Sequence, residues 1–414
     1  MTEARSHSLA RVGRGDLCSG CGGCAALVPD RIVMRLDTSG FLRPGLRGAV
    51  TPAEDEAIAR ICPGLGQQVA AGARRDDPLW GPFVALHTGH ATDAALRHAG
   101  ASGGGLSAVA AWLLDSGRVD AVIQTAADPG NPLGNRTVVS RNRAEVLAAA
   151  GSRYAPAAPL EGLRTHLIPG ARHAFVGKPC DVAALRALMA EDPGLGAAIP
   201  VVLSFFCAGT PSLRGARAVV ERMGADPEAV RAFRYRGMGW PGRARACLAD
   251  GSTREMSYHD SWGMILSRYV QHRCRICADG TGVAADLAFA DAWEADAEGY
   301  PLFEEAEGRS LIVARNEQGM ALLDAAVAAG VLAIERFDPA ALAAIQPGQR
   351  KRRQAVLARL AALRLSGRPV PRYRGLGLWS AARRGGALNA LREFLGMLRR
   401  IWRKGAGRGS ARPR

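Results

Sequence analysis

Apolar residues in the middle of the chain follow two alternating patterns, one typical of buried strands and one of helices. Short apolar runs predict strands in VDAVIQTAAD (119–128), HAFVGKP (173–179) and IPVVLSFFCAG (199–209). Between them, SAVAAWLLDSG (107–117) and DVAALRALMAE (181–191) repeat apolar residues every three to four positions and predict helices. Strands that alternate with helices favour an α/β core built on a parallel or mixed sheet.

The two ends of the chain interrupt this alternation. Residues 1–85 are polar, rich in Gly and Pro, and carry four of the nine cysteines, which predicts an irregular arm organised around metal. Residues 86–340 hold the alternating core. From residue 341 the chain is helical and basic, and ALNALREFLGMLRRIWRK (387–404) places apolar residues at helical spacing with arginines on the other faces. We expect the last ten residues to be disordered.

The positive charge of the chain is concentrated in this tail. The net charge is +16, whereas residues 350–414 hold 19 Lys and Arg and one acid, Glu393, a net of +18. A basic amphipathic helix predicts peripheral contact with a membrane surface, and packing of the tail on the protein's own surface is the alternative. No nucleic-acid partner is expected, because the segment lacks a recognisable motif.

Composition and the ends of the chain indicate where the protein is located and what its cysteines do. No apolar run reaches the length of a membrane span, and the first residues lack an apolar signal region. We therefore expect a cytoplasmic protein, with the inner membrane surface as the place of any contact by the tail. In a reducing compartment, nine cysteines indicate metal or redox chemistry rather than disulfides.

Three cysteines lie two residues apart in DLCSGCGGCAALVPD (16–30). Such a run wraps one face of a 4Fe-4S cluster, and the glycines let backbone N–H groups turn toward the sulfurs. The fourth thiolate comes from a distant cysteine, which in bacterial ferredoxins precedes Pro, as Cys62 does here. We predict one 4Fe-4S cluster on Cys18, Cys21, Cys24 and Cys62. Structural zinc is the alternative, although zinc sites generally use two separated pairs.

Four further cysteines are candidates for a second cluster. Cys274 and Cys277 form a C-x2-C pair, and Cys180 and Cys207 each follow a predicted strand, where α/β proteins place their chemistry. Spacing alone leaves open a second 4Fe-4S cluster or buried cysteines that pack as small apolar residues. For the ninth cysteine, Cys247, we predict the packing role.

A glycine-rich loop directly precedes the helix predicted near residue 107. It comprises Ser102, Gly103, Gly104 and Gly105. Free N–H groups at a helix start suit a phosphate group, but the loop matches neither G-x-G-x-x-G nor a Walker loop, so a helix cap without a ligand is the alternative. Tyr154 in GSRYAP (151–156) would offer an aromatic face to a flat ring.

Together these motifs resemble the beta-subunit family of coenzyme F420 hydrogenases and dehydrogenases, whose relatives include 7-hydroxymethyl chlorophyll a reductase and one type of divinyl chlorophyllide reductase. The resemblance runs from about residue 15 to residue 335 and does not include the tail. It is carried, in chain order, by CSGCGGCAAL, CPG, ATDAALRHAGASGGGLSAV, GRVDAVI, AAAGSRYAP, FVGKPCDVAALRAL, SFFCAGTPS, FRYRGMGWPG, RCRICADGTGVAADLAFADAW and RSLIVARNEQG.

The resemblance implies a flavoprotein that binds FAD and holds iron–sulfur clusters. It implies that FAD is contacted by Ser102, Gly103, Gly104 and Tyr154. Lys178, where many relatives have Thr, becomes a cation near the flavin that would stabilise its anionic reduced form. The resemblance also favours the second cluster, on Cys180, Cys207, Cys274 and Cys277. Asp291 and Trp293 would lie beside the flavin or this cluster, with structural roles as the alternative.

We therefore expect an α/β protein with a mixed-sheet FAD-binding core, an N-terminal ferredoxin-like iron–sulfur arm and a basic helical tail. Its function would be that of an oxidoreductase passing electrons between ferredoxin, or a deazaflavin, and an organic substrate through two 4Fe-4S clusters and FAD. The alternative is a relay protein without a substrate of its own, docked on a hydrogenase or dehydrogenase partner. The residues identify neither the substrate nor the proton donor, for which His98, His259 and Asp260 are candidates by position only.

Overall fold

An eight-stranded mixed sheet forms the core of the protein in the computed structural model, which describes residues 6–292 and 305–408. The strands, in chain order, are β1 (Ile32–Leu36), β2 (Leu42–Leu46), β3 (Gly66–Gln68), β4 (Arg75–Asp77), β5 (Gly81–Phe83), β6 (Ala85–Ala91), β7 (Ala121–Asp128), β8 (Asn131–Ser140), β9 (His173–Gly177), β10 (Val201–Phe205), β11 (Val230–Arg234), β12 (Ala244–Leu248), β13 (Thr253–Met256), β14 (Leu287–Asp291), β15 (Ser310–Ala314), β16 (Leu332–Arg336) and β17 (Arg372–Arg374).

The helices cover both faces of this sheet and form most of the tail. They are α1 (His7–Gly15), α2 (Gly23–Leu27), α3 (Pro52–Ile61), α4 (Ala94–Ala99), α5 (Gly105–Asp115), α6 (Arg143–Ala148), α7 (Leu163–His166), α8 (Pro179–Glu191), α9 (Pro193–Ala198), α10 (Leu213–Arg222), α11 (His272–Arg275), α12 (Glu317–Ala328), α13 (Leu342–Ile345), α14 (Pro347–Leu365), α15 (Leu378–Gly385) and α16 (Ala387–Arg408).

The order of strands in the large sheet is β16-β6-β15-β14-β10-β9-β7-β8. The four central strands β14, β10, β9 and β7 run parallel, and the strands toward both edges pair antiparallel. Helices α5 and α12 cover one face, and α8 and α9 cover the other. The central strands are therefore shielded on both sides, which is why they read as continuous apolar runs. The strands and helices predicted for the core, and its mixed sheet, are confirmed.

The N-terminal arm is more regular than its composition predicts. It contains α1, α2, α3 and the antiparallel hairpin of β1 and β2. Helix α3 begins with a capping box in which the Thr51 hydroxyl accepts from the Glu54 N–H, while the Glu54 carboxylate accepts from the Thr51 N–H. Its buried face contains Ile58 and Ile61. The prediction of an irregular arm was therefore wrong. These elements are short and contain too few apolar positions to show the period of a helix or a strand in the sequence.

The tail packs on the arm and the core. Strand β17 pairs in parallel with β3, and one apolar cluster joins Val12 and Leu17 of the arm to Val356 and Leu360 of α14. Helix α16 extends to Arg408, and residues 409–414 lie outside the described ranges. Disorder of the last ten residues stays a prediction. No helix in the described ranges has the length and apolar character needed to cross a membrane.

Candidate cofactor and metal site

A cavity of about 1220 Å³ lies at the carboxyl ends of the parallel strands. Residues just inside or beyond the ends of β9, β10 and β14 line it, namely 176–178, 205–210 and 289–291. In α/β proteins this edge is where ligands bind, because side chains and loops from several strands converge there. The cavity also exceeds the usual 300–1,000 Å³ or so of a pocket for one small ligand.

The glycine-rich loop forms one wall of this cavity. Gly104, the N-cap residue of α5, has a left-handed backbone (φ 69°) and no room for a Cβ, so glycine is required there. Ser102, Gly104 and Gly105 line the cavity. The Ser102 hydroxyl donates to the Ala290 carbonyl over 2.9 Å, and thereby fixes the loop to β14. Gly103 is absent from the lining, because its Cα packs against residues 308–310.

Three aromatic residues form a second wall. Tyr154 packs 4.7 Å from the Trp262 ring, and both line the cavity together with Tyr258. The Arg236 guanidinium lies 4.6 Å above the Tyr258 ring. Burial raises the pKa of Tyr258 well above its usual value. This wall therefore offers flat, largely neutral surfaces suited to a conjugated ring.

Lys178 lies in the floor of the cavity, directly after β9. Its Nζ donates to Asp181 Oδ2 over 2.7 Å, and the Asp181 side chain is 1% exposed. Burial opposes the charge of Lys178, but the Asp181 carboxylate and the nearby Cys180 raise the pKa of Lys178 above its ordinary value. Lys178 therefore keeps its positive charge next to the thiols that follow it.

Asp291 also lines the cavity, where it forms a bidentate ion pair with Arg236. The two N···O distances are 2.8 and 2.6 Å, and Arg236 is 2% exposed. This pair fixes the end of β14 against the segment 236–241. Asp291 therefore stabilises the cavity wall in addition to giving it a negative charge. Trp293 lies outside the described residues. None of His98, His259 and Asp260 is among the described residues that line the cavity.

The first group of cysteines is gathered by helices α2 and α3. Cys18, Cys21 and Cys24 lie in the loop before α2 and in its first turn, and Cys62 follows the last residue of α3. Burial raises the pKa of the Cys21 thiol to about 12, and Cys62 contributes to the increase. Burial also raises the pKa of Cys24, to which Cys21, Cys18 and Cys62 all contribute. The four predicted thiols are thus close neighbours.

Backbone N–H groups point at the sulfurs of this group. The Gly20 N–H donates to Cys18 Sγ at 3.4 Å, and the backbone N–H groups of Gly64 and Leu65 act to lower the pKa of Cys62. Despite these bonds, burial raises the pKa of Cys62 to about 11. Hydrogen bonds to buried sulfurs stabilise the thiolate form that metals bind, and they tune iron–sulfur clusters.

The second group lies beside the cavity. Cys207 and Cys274 line it, and Cys180 lies in the first turn of α8. Burial raises the pKa of Cys207 to about 12, with the nearby Cys274 as the next cause. Burial raises the pKa of Cys180 as well, with Asp181 as the next cause and smaller contributions from Cys207 and from Cys21 of the first group. The two groups are therefore adjacent.

Arg273 lies between the two groups, and sequence reasoning missed it. Its side chain is 2% exposed, and its Nη2 donates to the carbonyl of Pro63, next to Cys62, over 2.8 Å. Burial opposes the charge of Arg273, but Tyr373 and then Cys277, Cys180 and Cys274 raise its pKa. Among the residues that the structure describes, no acceptor is within hydrogen-bond distance of its Nε or Nη1.

Cys277 belongs with the second group, because it acts on the same Arg273 side chain as Cys180 and Cys274 do. The Cys277 Sγ donates to the Asp279 carbonyl over 3.1 Å, and Thr210 N–H donates to Cys274 Sγ at 3.4 Å. Cys247 lies apart from all of these, on β12 of a separate three-stranded sheet. Within the described ranges no three His, Cys, Asp or Glu side chains are arranged to hold one metal ion. A 4Fe-4S cluster needs a wider opening than a zinc ion, because its own iron and sulfide atoms separate the thiolates.

Two family profiles match the chain, and both describe the beta subunit of coenzyme F420 hydrogenase/dehydrogenase. The profile for the N-terminal part of that family matches residues 86–164, and the profile for its C-terminal part matches residues 170–340. Together they span more than half of the chain. The glycine-rich loop and Tyr154 fall in the first range, and Lys178 and the second cysteine group fall in the second. The first cysteine group and the tail lie outside both ranges.

Individual relatives agree with the profiles. The chain is 27% identical over 266 residues to the coenzyme F420 hydrogenase subunit beta of Methanococcus voltae, which covers 63% of this chain and 86% of that protein. It is 24% identical over 293 residues to an uncharacterized protein of Methanocaldococcus jannaschii, covering 66% of this chain and 79% of the relative.

A solved structure shares the fold. A chain of the F420-reducing [NiFe] hydrogenase complex from Methanosarcina barkeri superposes with a TM-score of 0.53 at 20% identity, covering 69% of this chain and 95% of that chain. At this identity the similarity concerns the fold alone. The two profiles, the curated relative and the shared fold confirm the resemblance that the motifs indicate. The chain belongs to the coenzyme F420 hydrogenase/dehydrogenase beta-subunit family.

Proposed function

We propose that this protein is an iron–sulfur flavoprotein oxidoreductase with two 4Fe-4S clusters and FAD. The observation that carries the proposal is the placement of Arg273 between two groups of buried thiols. Its buried guanidinium contacts the Tyr373 ring, and two of its nitrogens have no hydrogen-bond acceptor among the residues that the structure describes. An unpaired buried cation is costly, and anionic thiolate clusters on both sides would offset that cost. The hydrogen bonds to the sulfurs support the same assignment.

The first cluster would be held by Cys18, Cys21, Cys24 and Cys62, and the second by Cys180, Cys207, Cys274 and Cys277. Helix α2, which carries Cys24, packs against α8, which carries Cys180. This short link would place the clusters one after the other between the arm and the cavity. Such clusters pass single electrons, and a flavin can exchange one or two, which connects them to two-electron chemistry.

FAD would occupy the cavity. The N-terminus of α5 and the glycine-rich loop suit the diphosphate, because free N–H groups and the helix dipole both favour negative charge. Tyr154 and Trp262 would pack against the ring system, and Lys178 would supply positive charge beside it. The ring would then lie close to Cys207 and Cys274, which line the same cavity.

The electron carrier would be ferredoxin or a deazaflavin, and the acceptor would be an organic molecule. A relay protein without its own substrate is the second candidate, favoured by one observation. The solved structure with this fold is part of a hydrogenase complex, so a partner oxidoreductase is a proposal for this chain as well. We further propose that α16 contacts a membrane surface, since Leu388 and Trp402 are 85% and 79% exposed among arginines.

The experiment is a reduction assay on anaerobically purified full-length protein. We expect a flavin spectrum over broad cluster absorbance near roughly 400 nm, which bleaches when reduced ferredoxin or reduced coenzyme F420 is added. The variant C207S should bleach much more slowly, and C247S should behave as the wild type. A wild-type protein without flavin and cluster absorbance would refute the proposal. Reoxidation by organic acceptors in the free monomer would count against the relay alternative.

A further inference from the structure

The tail closes one side of the cavity, although it lies outside the family profiles. Two glutamines attach it to the core at the ends of β14 and β10. Gln346 Nε2 donates to the carbonyl of Asp291 over 2.6 Å, and Gln349 Nε2 donates to the carbonyl of Cys207 over 3.1 Å. The start of α14 is therefore fixed next to the proposed second cluster.

This wall is strongly basic. Arg350, Lys351 and Arg352 from α14 and Arg392 from α16 line the cavity, together with Arg275 from the core. We name these five residues the cation cluster. The acids that line the same cavity each hold another base, since Asp181 pairs with Lys178, Asp291 with Arg236 and Glu393 with Arg359. Within the described ranges, no carboxylate forms an ion pair with a member of the cation cluster.

Three of the five members lie near the start of helix α14. This helix has no acidic residue in its first turn, and Arg350 lies at the end of that turn, where the dipole disfavours positive charge. Burial lowers the pKa of Arg275, and the charges of Arg400 and Arg359 lower it further. Like charges thus crowd this side of the cavity, and an anion bound there would relieve the repulsion.

We infer that the cation cluster is the binding site for the anionic part of the organic substrate, a phosphoryl group or a set of two or more carboxylates that carries at least two negative charges. The inference rests on the proposed function, since the flavin and the second cluster would occupy the core side of the same cavity. Guanidinium groups bind phosphate and carboxylate oxygens in pairs, which gives both charge and orientation. The tail would then determine which substrate this member of the family accepts.

Calorimetric titration of the anaerobically purified full-length protein tests the inference, with inorganic pyrophosphate and citrate as separate probes. The variant R350Q/K351Q/R352Q removes three charges from the cavity wall. The matched control R364Q/R372Q/R374Q removes three charges from exposed positions of the same tail that do not line the cavity. We expect at least one probe to bind the wild type and the control equally. It should bind the cavity variant about tenfold more weakly or worse, because the loss of one hydrogen bond to a charged group is enough for that factor.

Flavin and iron contents are measured on the same samples. A wild type that lacks both refutes the proposed function, whereas normal contents with no anion binding refute this inference alone. Equal weakening in both triple variants would show general charge attraction, and loss of flavin from the cavity variant would show that the cations hold FAD; either overturns the inference. If the triple variant does not fold, K351Q at an exposed position replaces it. K351Q should then bind more weakly than K351R, and equal affinity would contradict the inference.

Discussion

At the scale of single residues, Arg273 has the greatest influence on the proposed electron path. It touches the carbonyl beside Cys62, and its charge acts on Cys277, Cys180 and Cys274. A fixed positive charge stabilises the more negative, reduced state of a nearby cluster. The residue would therefore set the reduction potentials of both proposed clusters at once, without itself binding iron.

The variant R273Q should lower both cluster potentials by on the order of 60–120 mV. This is the one-electron effect of one unit charge roughly 6–12 Å away at an effective dielectric constant near 20. Spectroscopically monitored redox titration measures the shift, and R268Q, an exposed arginine of the preceding segment, is the control. Unchanged potentials in R273Q with intact clusters would contradict the placement of the charge between them.

At this scale, the sequence alone identifies candidate residues where a motif is short and local. The C-x2-C-x2-C run and Cys62-Pro63 are motifs of a few residues, so the candidate thiols could be found without a fold. Arg273 could not, because RCRIC looks like an exposed basic loop. Its contacts with Pro63, 210 positions earlier in the chain, and with the ring of Tyr373 in the tail show that the arginine is buried.

At the scale of elements, the segment after α3 packs tightly against the loop before α2. A Cβ added at Gly64 would lie 2.5 Å from the Leu17 carbonyl oxygen and 3.4 Å from Cys62 Sγ. The obstacle is backbone, which cannot swing away as the end of a side chain can. Glycine at this position thus allows the close approach that gathers the first cysteine group.

The variant G64A should therefore lose stability by about 1–3 kcal/mol and release the iron of the first cluster. G13A is the control, because nothing lies within 4 Å of a Cβ at that position in α1. Alanine there should be neutral or stabilising by up to about 1 kcal/mol. Thermal unfolding and iron content are the measurements. A G64A protein with wild-type midpoint and full iron would show that the close approach is not required.

The outer face of helix α16 is apolar, which leads to a prediction about membrane binding. Leu388, Leu391 and Leu395 are 85%, 55% and 53% exposed. The variant L388S/L391S/L395S should bind vesicles rich in anionic lipid at least about tenfold more weakly, since each buried leucine contributes roughly 1.5–3 kcal/mol. L36S/M264S/L365S removes exposed apolar residues elsewhere and serves as the control. Equal binding of the two variants in co-sedimentation would argue against contact through α16.

Elements with strong periodicity could be predicted, and those fixed by distant partners could not. Strands β7, β9 and β10 are buried on both sides, so their apolar runs identify them. Strands β3 and β17 are three residues each and pair across some 300 positions, so neither carries a pattern of its own. The same holds for the docking of α14, which depends on two glutamines and two backbone carbonyls.

At the scale of the whole molecule, the core and the tail line one cavity, and the arm places the first cysteine group next to the second. The arm supplies the first cysteine group, the core supplies the second group with the glycine-rich loop, and the tail supplies the cation cluster. The proposed electron path would run from the arm to the cavity, and the proposed substrate would be held from the tail side. The proposed function thus depends on contacts among segments that are far apart in the sequence.

Iron, acid-labile sulfide and flavin per chain, measured on anaerobically purified full-length protein, provide the decisive test of two clusters beside one flavin. We predict about eight iron, about eight sulfide and one FAD, because two 4Fe-4S clusters and one flavin are proposed. C24S and C274S should each retain about four iron, and C247S should retain all eight. A wild-type protein that contains zinc, or no metal, in place of iron and sulfide would contradict the proposed electron path.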